Sequence, residues 1–361
     1  MPERLLPTVP VSGLAPDAVP GVASLSLASC RSAGSAAPVG PSPERPGERR
    51  PACGPDGDGR PAGEGRGARG RVPGDAHPHA PADTGEFFAR RRPGRPGLAV
   101  FVNAGDPPLD ILADLAAMLD DSDVDCLELA VPFPGSVTDG PVVRRSADRA
   151  LASGVTLDAV LDAVTAIRPT LRRLRIALLA DWSHTVRGRD PGGFARALAD
   201  AGCDGLLLHG LPPRLRAAHY EAAQLAGLPL VTTCYAVSGR ATVAEAAQHA
   251  SAYLYLVAHY GRSGTTAAPD HDRLAAALAE VRAATRVPVA VGFGVRTRAD
   301  IAALEKLGAD AAVVGSAGVA RIEQALAERR DPVREFASFV AGLRGPAAHH
   351  RHHRTTGGSH T

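Results

Sequence analysis

The feature that most constrains the fold is an alternation of short apolar runs with longer helical periods, repeated eight times between residues 98 and 344. Each short run is a nearly continuous series of Val, Leu, Ile and Ala, which is typical of strands buried on both faces of a parallel sheet. The eight predicted strands are 98–103, 125–129, 175–180, 205–208, 230–233, 253–257, 287–292 and 311–314. The chain is therefore expected to build one parallel sheet and to cover it with helices.

The segments between the strands have the period of amphipathic helices. Gly202, Gly227 and Gly308 end helical runs just before the next strand, where a left-handed residue is favoured. The most regular apolar faces follow the first two strands, at Leu109, Leu112, Leu115, Met118 and Leu119, and at Leu157, Val160, Leu161, Val164 and Ile167.

Eight strand–helix units in about 250 residues predict a single (β/α)8 TIM barrel of the α/β class. The alternative is a doubly wound open sheet. It would use fewer strands in this length and would need a topological switch point, of which the sequence gives no sign. In a barrel, ligands bind at the carboxyl ends of the strands, so candidate site residues are sought there.

The two ends of the chain differ in composition from the barrel. Residues 1–83 contain 15 Pro and 13 Gly and no Ile, Phe, Tyr or Trp, too little apolar surface to offset chain entropy. We expect a disordered extension over 1–83, the barrel over 84–345, and a disordered His-rich tail over 346–361. Thr84 is predicted to cap a short helix over 84–90, in which Phe87 and Phe88 are available to plug an apolar opening.

The charge and cysteine content exclude several classes of function. The net charge of +2 gives no strong field towards nucleic acid or a membrane surface, so neither is expected as a partner. No apolar run approaches the roughly 18 residues of a membrane-spanning helix. Five cysteines without CxxC spacing disfavour a disulfide framework or a zinc site and favour a reducing compartment. We expect a cytoplasmic protein.

Two acidic residues stand out near the second strand. Glu128 lies inside a run that otherwise predicts a buried strand, where an ionised carboxylate is costly unless it is paired or used. Asp139 follows eleven residues later, at the end of a loop rich in Pro and Gly. Together they suggest acid–base chemistry. The alternatives are a Glu128 carboxylate satisfied by a backbone donor or an arginine, and an Asp139 that only caps the helix beginning at Pro141.

Glycine pairs end the last two predicted strands. Strand seven ends in Gly292-Phe293-Gly294 and strand eight in Gly315-Ser316-Ala317, where barrels commonly hold a phosphate against backbone amides. The glycine-rich loop 259–266 after strand six is placed to form a third wall or a closing lid. The pattern predicts a small phosphate ester as the ligand.

Six stretches, in order and spacing, resemble the α subunit of tryptophan synthase. They are residues 101–107, 127–133, 138–141, 253–256, 291–294 and 314–317. The resemblance covers roughly residues 84 to 345. It implies a lyase that cleaves indole-3-glycerol phosphate to indole and glyceraldehyde 3-phosphate, in tryptophan biosynthesis or a related specialised pathway.

The resemblance also implies roles for individual residues. Glu128 would carry out the proton transfers, and Asp139 would accept a hydrogen bond from the indole N–H. No metal or cofactor is implied, and the only lysine, Lys306, lies in the helix before strand eight. The implied indole pocket is lined by Phe101, Leu179 and Tyr255, for which ordinary barrel core is the alternative. The implied phosphate site consists of Gly264, Gly292, Phe293, Gly294, Gly315 and Ser316.

The sequence departs from this family mainly in loops. Residues 134–136 replace the usual residues of a loop that, in the family, helps to contact the β subunit. Asp181 replaces an aromatic residue near the substrate and precedes Trp182, and strand four ends in His209-Gly210 without the usual Asp. These changes leave open a β-subunit partner, a stand-alone lyase and a modified substrate. Two other functions stay open: another phosphate-binding barrel enzyme, such as a sugar-phosphate isomerase, and a non-catalytic barrel that regulates a β-subunit partner.

Overall fold

The computed structural model describes residues 87–258, 271–292 and 294–345. Eight parallel strands pair in chain order and the last pairs with the first, so the sheet closes into a barrel. The predicted TIM barrel is confirmed, and closure excludes the open doubly wound sheet. The strands are β1 Gly97–Asn103, β2 Cys126–Ala130, β3 Arg175–Asp181, β4 Gly205–His209, β5 Leu230–Tyr235, β6 Tyr253–Val257, β7 Val289–Gly292 and β8 Ala311–Val314.

The described part of the chain contains ten α-helices, and two of the strands are followed by a pair of them. The helices are α1 Leu112–Asp121, α2 Pro141–Ala152, α3 Leu157–Ile167, α4 Pro191–Asp200, α5 Pro213–Leu225, α6 Arg240–His249, α7 His271–Ala284, α8 Arg298–Lys306, α9 Ser316–Ala327 and α10 Pro332–Arg344. A short 3₁₀ turn, Leu109–Ile111, precedes α1, and another, Arg168–Thr170, follows α3. A π-helical turn, Trp182–Val186, follows β3.

The helical faces predicted from the apolar period face the barrel. Leu112, Leu115 and Leu119 of α1 are buried, and Val160 and Val164 of α3 are fully buried. The glycines predicted to end helices have the left-handed backbone expected there, with φ of 88°, 65° and 93° at 202, 227 and 308. Strand β7 starts two residues later than predicted, at Val289, because Pro288 has no amide hydrogen to give to the ladder.

Phe87 and Phe88 fill the amino-terminal end of the barrel, as predicted for a plug. Both rings are buried and lie 5.4 and 5.2 Å from the ring of Tyr253. A side chain at Gly97, where β1 begins, would collide with the Phe88 ring, and one at Gly205, where β4 begins, would meet Phe87 at 2.8 Å. The strand glycines therefore make room for the two phenylalanines, which supply volume that the small inward side chains leave unfilled.

The segment that carries this plug is a turn in the part that the structure describes, residues 87–90, rather than the predicted helix. Gly94, with φ of 77°, turns the chain back so that Arg92 pairs with Arg95 and leads directly into β1. Thr84 lies outside the described residues, and so do the predicted extension over 1–83 and the tail over 346–361.

Membrane-spanning character is weak in the described residues. None of their helices is by itself long and apolar enough to cross a bilayer, and only the pair Pro141–Ala152 and Leu157–Thr170, bent by 94°, reaches that threshold together.

Candidate active site

The predicted indole-pocket residues meet Glu128 inside the barrel, towards the carboxyl ends of the strands. Phe101 in β1 stands opposite Glu128 in β2, and Leu179 in β3 lies two register pairs further along, opposite Ala130. Phe101, Leu179 and Tyr255 are partly exposed, whereas the inward residues nearer the amino-terminal end are buried. Leu179 and Tyr255 pack against the buried inward residues on the amino-terminal side, and both side chains stay partly exposed. Contact with a substrate stays a prediction for all three.

Glu128 is 2 % exposed and its carboxylate is held from across the barrel. The hydroxyl of Tyr253 donates to Glu128 Oε1 at 2.6 Å, from β6, a strand that is not adjacent to β2. The partner is thus neither a backbone donor nor an arginine, the two alternatives that the sequence had left open. Burial raises the pKa of Glu128 to about 7, and the hydrogen bond from Tyr253 opposes that rise.

A carboxyl group with a pKa of about 7 exists in both protonation states near neutral pH. It can therefore donate a proton in one step and accept one in the next, which is the requirement for a general acid–base catalyst. Glu128 is buried in the barrel core, where solvent competes little for that proton. The acid–base role of Glu128 stays a prediction, and its burial and raised pKa are compatible with that role.

Asp139 lies at the end of the loop between β2 and α2, and its side chain is half-buried. The helix that follows is capped by Gly140 without a side-chain hydrogen bond, and Pro141 is its first residue. Asp139 therefore does not cap α2, and that alternative is wrong. Its backbone N–H donates to Ser136 Oγ at 3.3 Å, within the same loop.

Glu128 and Asp139 are related through Tyr255. Burial raises the pKa of the Tyr255 phenol, and the negative charges of Glu128 and Asp139 raise it further, with Tyr235 adding to the effect. A charge contributes in this way only over short distances, since solvent screens distant ones. Both carboxylates therefore lie near the Tyr255 side chain.

Four of the six predicted phosphate residues, Gly292, Gly294, Gly315 and Ser316, lie where β7 and β8 end. Gly294 has φ of 71°, a left-handed conformation that favours glycine, and Ser316 begins α9 directly after Gly315. The amino terminus of this twelve-residue helix therefore lies at the catalytic end of the barrel, where its unpaired N–H groups favour an anion. Gly292 has a second reason to be glycine, because a Cβ there would collide with the Tyr255 ring. Gly264 and Phe293 lie outside the described residues.

A histidine–aspartate cluster at the ends of β3 and β4 was not predicted as part of the site. Asp181 Oδ1 accepts hydrogen bonds from the backbone N–H and the Nδ1–H of His184, at 3.0 and 2.7 Å. Its Oδ2 accepts from Nδ1–H of His209 at 3.0 Å. Both imidazoles stack on Phe133, with ring centroids 5.6 and 5.5 Å away. The signal in the sequence is an Asp and a His at the carboxyl ends of neighbouring strands.

Asp181 is 5 % exposed and ionised in this cluster. Burial pushes the pKa of Asp181 upward, but the hydrogen bonds from His209 and His184 outweigh burial and hold the pKa below its ordinary value. Within the described ranges, no group of three or more His, Cys, Asp or Glu side chains has a geometry that could hold a metal ion. The cluster thus joins two imidazoles to one carboxylate at the carboxyl end of the barrel strands.

Comparison with known proteins finds relatives that match most of the chain. The sequence profile of the family described as "Tryptophan synthase alpha chain" matches residues 87–347. The chain is 36% identical over 251 residues to the tryptophan synthase alpha chain of Ralstonia nicotianae, which covers 70% of this chain and 93% of that one. It is 37% identical over 260 residues to that of Burkholderia mallei, covering 72% of this chain and 93% of that one.

Solved structures of tryptophan synthase also superpose on this barrel. Subunit alpha of tryptophan synthase from Legionella pneumophila str. Paris superposes with a TM-score of 0.62 at 28% identity, covering 69% of this chain and 92% of that one. A chain of tryptophan synthase from Mycobacterium tuberculosis superposes with a TM-score of 0.63 at 26% identity, covering 73% and 98%. The family profile spans more than half of the chain, and the aligned relatives share more than a third of their residues with it. The chain therefore belongs to the tryptophan synthase alpha chain family.

Proposed function

We propose that this barrel cleaves indole-3-glycerol phosphate into indole and glyceraldehyde 3-phosphate in tryptophan biosynthesis, with Glu128 as the general acid–base catalyst. Membership of the family supports the reaction. The single observation that supports the role of Glu128 is its buried carboxyl group with a pKa of about 7, beside the open end of the barrel. An acid–base group placed in this way contributes about 10²–10⁴ to the rate.

The reaction is a retro-aldol cleavage in two proton transfers. Glu128, protonated, gives its proton to C3 of the indole ring, which leaves a positive charge shared with the ring nitrogen. The Glu128 carboxylate then takes the proton of the hydroxyl on the side-chain carbon next to C3. That oxygen becomes the aldehyde carbonyl, and the electrons of the breaking C–C bond return to the indole ring. Glu128 ends protonated, ready for the next cycle.

Asp139 stabilises the charge that develops in the first step. The raised pKa of the Tyr255 phenol supports this role, because the charges of Glu128 and Asp139 both contribute to it. A carboxylate that accepts a hydrogen bond from the ring N–H lowers the energy of the C3-protonated ring more than that of the neutral substrate, and this difference accelerates the reaction. Phe101, Leu179 and Tyr255 would hold the ring between these two groups.

The phosphate of the substrate would bind at the ends of β7 and β8. The amino terminus of α9, from Ser316, and the left-handed turn at Gly294 support this placement because both suit close approach of backbone to an anion. Gly264, Gly292, Phe293 and Gly315 complete the proposed phosphate site. Binding the phosphate at one end and the ring at the other fixes the scissile bond between Glu128 and Asp139.

The experiment that tests the proposal measures indole release from indole-3-glycerol phosphate by the purified full chain. Glu128→Gln is the matched control, because it keeps the shape of the side chain and removes its proton exchange. Indole release by the natural chain and not by the variant supports the proposal. Equal release by both contradicts it. Strong thermal stabilisation by a sugar phosphate, with indole-containing ligands inert and no turnover, would instead favour the sugar-phosphate isomerase alternative.

The partner is a separate proposal. We expect a tryptophan synthase β chain, if it binds, to contact the loop between β2 and α2, whose exposed tip contains Pro134, Gly135 and Val137. Val137 is 79% exposed, an apolar side chain that a partner could cover. Repeating the indole assay with and without a β chain tests this binding. We also propose a cytoplasmic location, in keeping with the three cysteines that are free in the described residues.

A further inference from the structure

The loop that carries Asp139 is held by side chains rather than by backbone pairing. Val131 donates its backbone N–H to Leu179 O at 2.9 Å, which ties the start of the loop to β3. From 132 to 139, no backbone-to-backbone hydrogen bond joins the loop to other described residues. Pro132 and Pro134 have no N–H to give. Some other contact must fix the place of Asp139, because a free loop would spread its carboxylate over many positions.

That contact is a continuous chain of hydrogen bonds from the backbone of Asp139 to the carboxylate of Asp181. The N–H of Asp139 donates to Ser136 Oγ at 3.3 Å, and Ser136 Oγ lies 3.3 Å from Thr138 Oγ1. Thr138 Oγ1 lies 3.2 Å from His209 Nε2, and His209 Nδ1–H donates to Asp181 Oδ2 at 3.0 Å. We call this chain the loop brace.

The hydrogen bonds of the loop brace can all run in one direction. Because an ionised Asp181 only accepts, His209 Nδ1 carries a proton, and in the tautomer with the proton on Nδ1 alone Nε2 is an acceptor. Thr138 can then donate to Nε2 while its oxygen accepts from Ser136, whose oxygen accepts from Asp139 N–H. Every donor has one acceptor along the path, and hydrogen bonds aligned in this way polarise and strengthen each other.

The far end of the loop brace is rigid. Asp181 is buried at the end of β3 and stands opposite His209 in the β3–β4 ladder, so the barrel itself fixes their spacing. His184 holds the second oxygen of Asp181. Phe133, 8 % exposed, stacks on both imidazoles and anchors the beginning of the same loop. The loop is therefore attached to the barrel wall at both ends by residues of this chain.

We propose that Asp181 and His209 are positioning residues for Asp139, and that they hold its loop in the working position through Thr138 and Ser136. The inference rests on the proposed function, in which Asp139 binds the indole N–H. Displacement of a charge-stabilising group by about 1 Å can cost on the order of 10²-fold in rate. Asp181 and His209 thus hold the Asp139 loop in place.

The test uses substitutions that cut the loop brace at single points in the full chain. Thr138→Val keeps the shape of the side chain and removes the hydroxyl, whereas Thr138→Ser keeps the hydroxyl. His209→Phe keeps a ring against Phe133 and removes both nitrogens. Ser183→Ala is the control, since Ser183 is an exposed hydroxyl in the neighbouring turn that takes no part in the brace. Each variant is measured for kcat and KM of indole release and for amide hydrogen exchange of residues 133–140.

The inference expects Thr138→Val and His209→Phe to lower kcat about tenfold with little change in KM, because Asp139 acts mainly on the charged intermediate. Thr138→Ser and Ser183→Ala should keep natural activity. In an Asp139→Asn background the Thr138→Val effect should disappear, since the two changes act through one carboxylate. Amide exchange in 133–140 should become several-fold faster in the two brace variants.

Two results would overturn the inference. One is unchanged exchange of 133–140 in Thr138→Val and His209→Phe, which would show that the loop does not depend on the brace. The other is a Thr138→Val effect on kcat that persists in full in the Asp139→Asn background. If the natural chain releases no indole, the proposed function fails by itself, and the exchange measurement still decides whether the brace holds the loop.

Discussion

Tyr253 donates a hydrogen bond to Glu128 Oε1 at 2.6 Å across the interior of the barrel. The same hydroxyl lies 3.9 Å from the sulfur of Cys126, and its ring rests on Phe87 and Phe88. The proposed acid–base residue is therefore linked through one tyrosine to the plug at the opposite end of the barrel. Because a hydrogen bond to the carboxylate favours its charged form, Tyr253 limits how far burial raises the pKa of Glu128.

Removing this hydrogen bond should change the pH dependence of cleavage. Protonated Glu128 begins the proposed reaction, so kcat/KM should fall as pH rises through its pKa of about 7. In Tyr253→Phe the lowering effect of the hydrogen bond is lost, and the alkaline fall should move to higher pH. The measurement is the pH profile of indole release by both proteins. A profile that keeps its position, or moves to lower pH, would contradict the assignment of Glu128.

Tyr220→Phe is the matched control for this experiment. Tyr220 lies in α5 and packs against His249, outside the barrel interior, so the loss of its hydroxyl should leave the profile in place. Any residual indole release by Glu128→Gln should lack the fall at about pH 7, which separates the titration of Glu128 from that of the substrate phosphate.

Gly292 should be intolerant of even a methyl group. A Cβ at this position would collide with the Tyr255 ring, and overpacking of this kind costs about 1–3 kcal/mol when the neighbours have to move. The ring would be pushed within the pocket that holds the indole, so Gly292→Ala should lower kcat/KM about tenfold. Gly239→Ala, with no atom within 4 Å of its added Cβ, should leave kcat/KM unchanged. Equal kcat/KM values for the two variants would contradict the prediction that Tyr255 lines the indole pocket.

The sequence predicted the barrel well because its signals are local. Continuous apolar runs, helical periods and terminal glycines each depend on a few neighbouring residues, and the strand at 311–314 was placed to the residue. The burial of Glu128 followed from its place inside one of these apolar runs. Local signals also set the limits of these predictions, as at Pro288, where one missing amide shortened β7 by two residues.

The contacts that define the chemistry were not predictable in this way. Tyr253 reaches Glu128 only because the sheet closes, since their strands are not neighbours. Asp181 and His209 meet through the register of β3 and β4, and Thr138 reaches His209 through the path of an irregular loop. Side-chain contacts between residues 71 or 125 positions apart are set by tertiary structure, and no periodicity in the sequence encodes them.

The aromatic plug should contribute strongly to stability. Phe88 is fully buried against Tyr253, and truncation of a buried phenylalanine to alanine typically costs about 3–5 kcal/mol. We expect Phe88→Ala to lower the free energy of unfolding by this amount in a urea titration. Leu225→Ala, at a side chain that is 82% exposed, should change it by less than about 0.5 kcal/mol. Similar values for the two variants would mean that the plug does not contribute to the stability of the barrel.

The natural chain should be less stable at alkaline pH than the Glu128→Gln variant, whose side chain has the same shape and no charge. Burial raises the pKa of Glu128 from 4.5 to about 7, so between these values the folded chain binds more protons than the unfolded chain. Stability that is present below pH 4.5 is therefore lost as pH rises through about 7. A shift of this size corresponds to about 3 kcal/mol, the cost of an ionised carboxylate in the barrel core.

Glu128→Gln has no proton to lose and should escape this loss. The difference in unfolding free energy between variant and natural chain should therefore grow by about 3 kcal/mol from pH 4.5 to pH 8, in favour of the variant. Urea titrations of the two proteins at several pH values measure it, and all other titrating groups cancel in the difference. A difference that does not change with pH would mean that Glu128 is ionised at its ordinary pKa, and the proposed acid–base role would lose its physical basis.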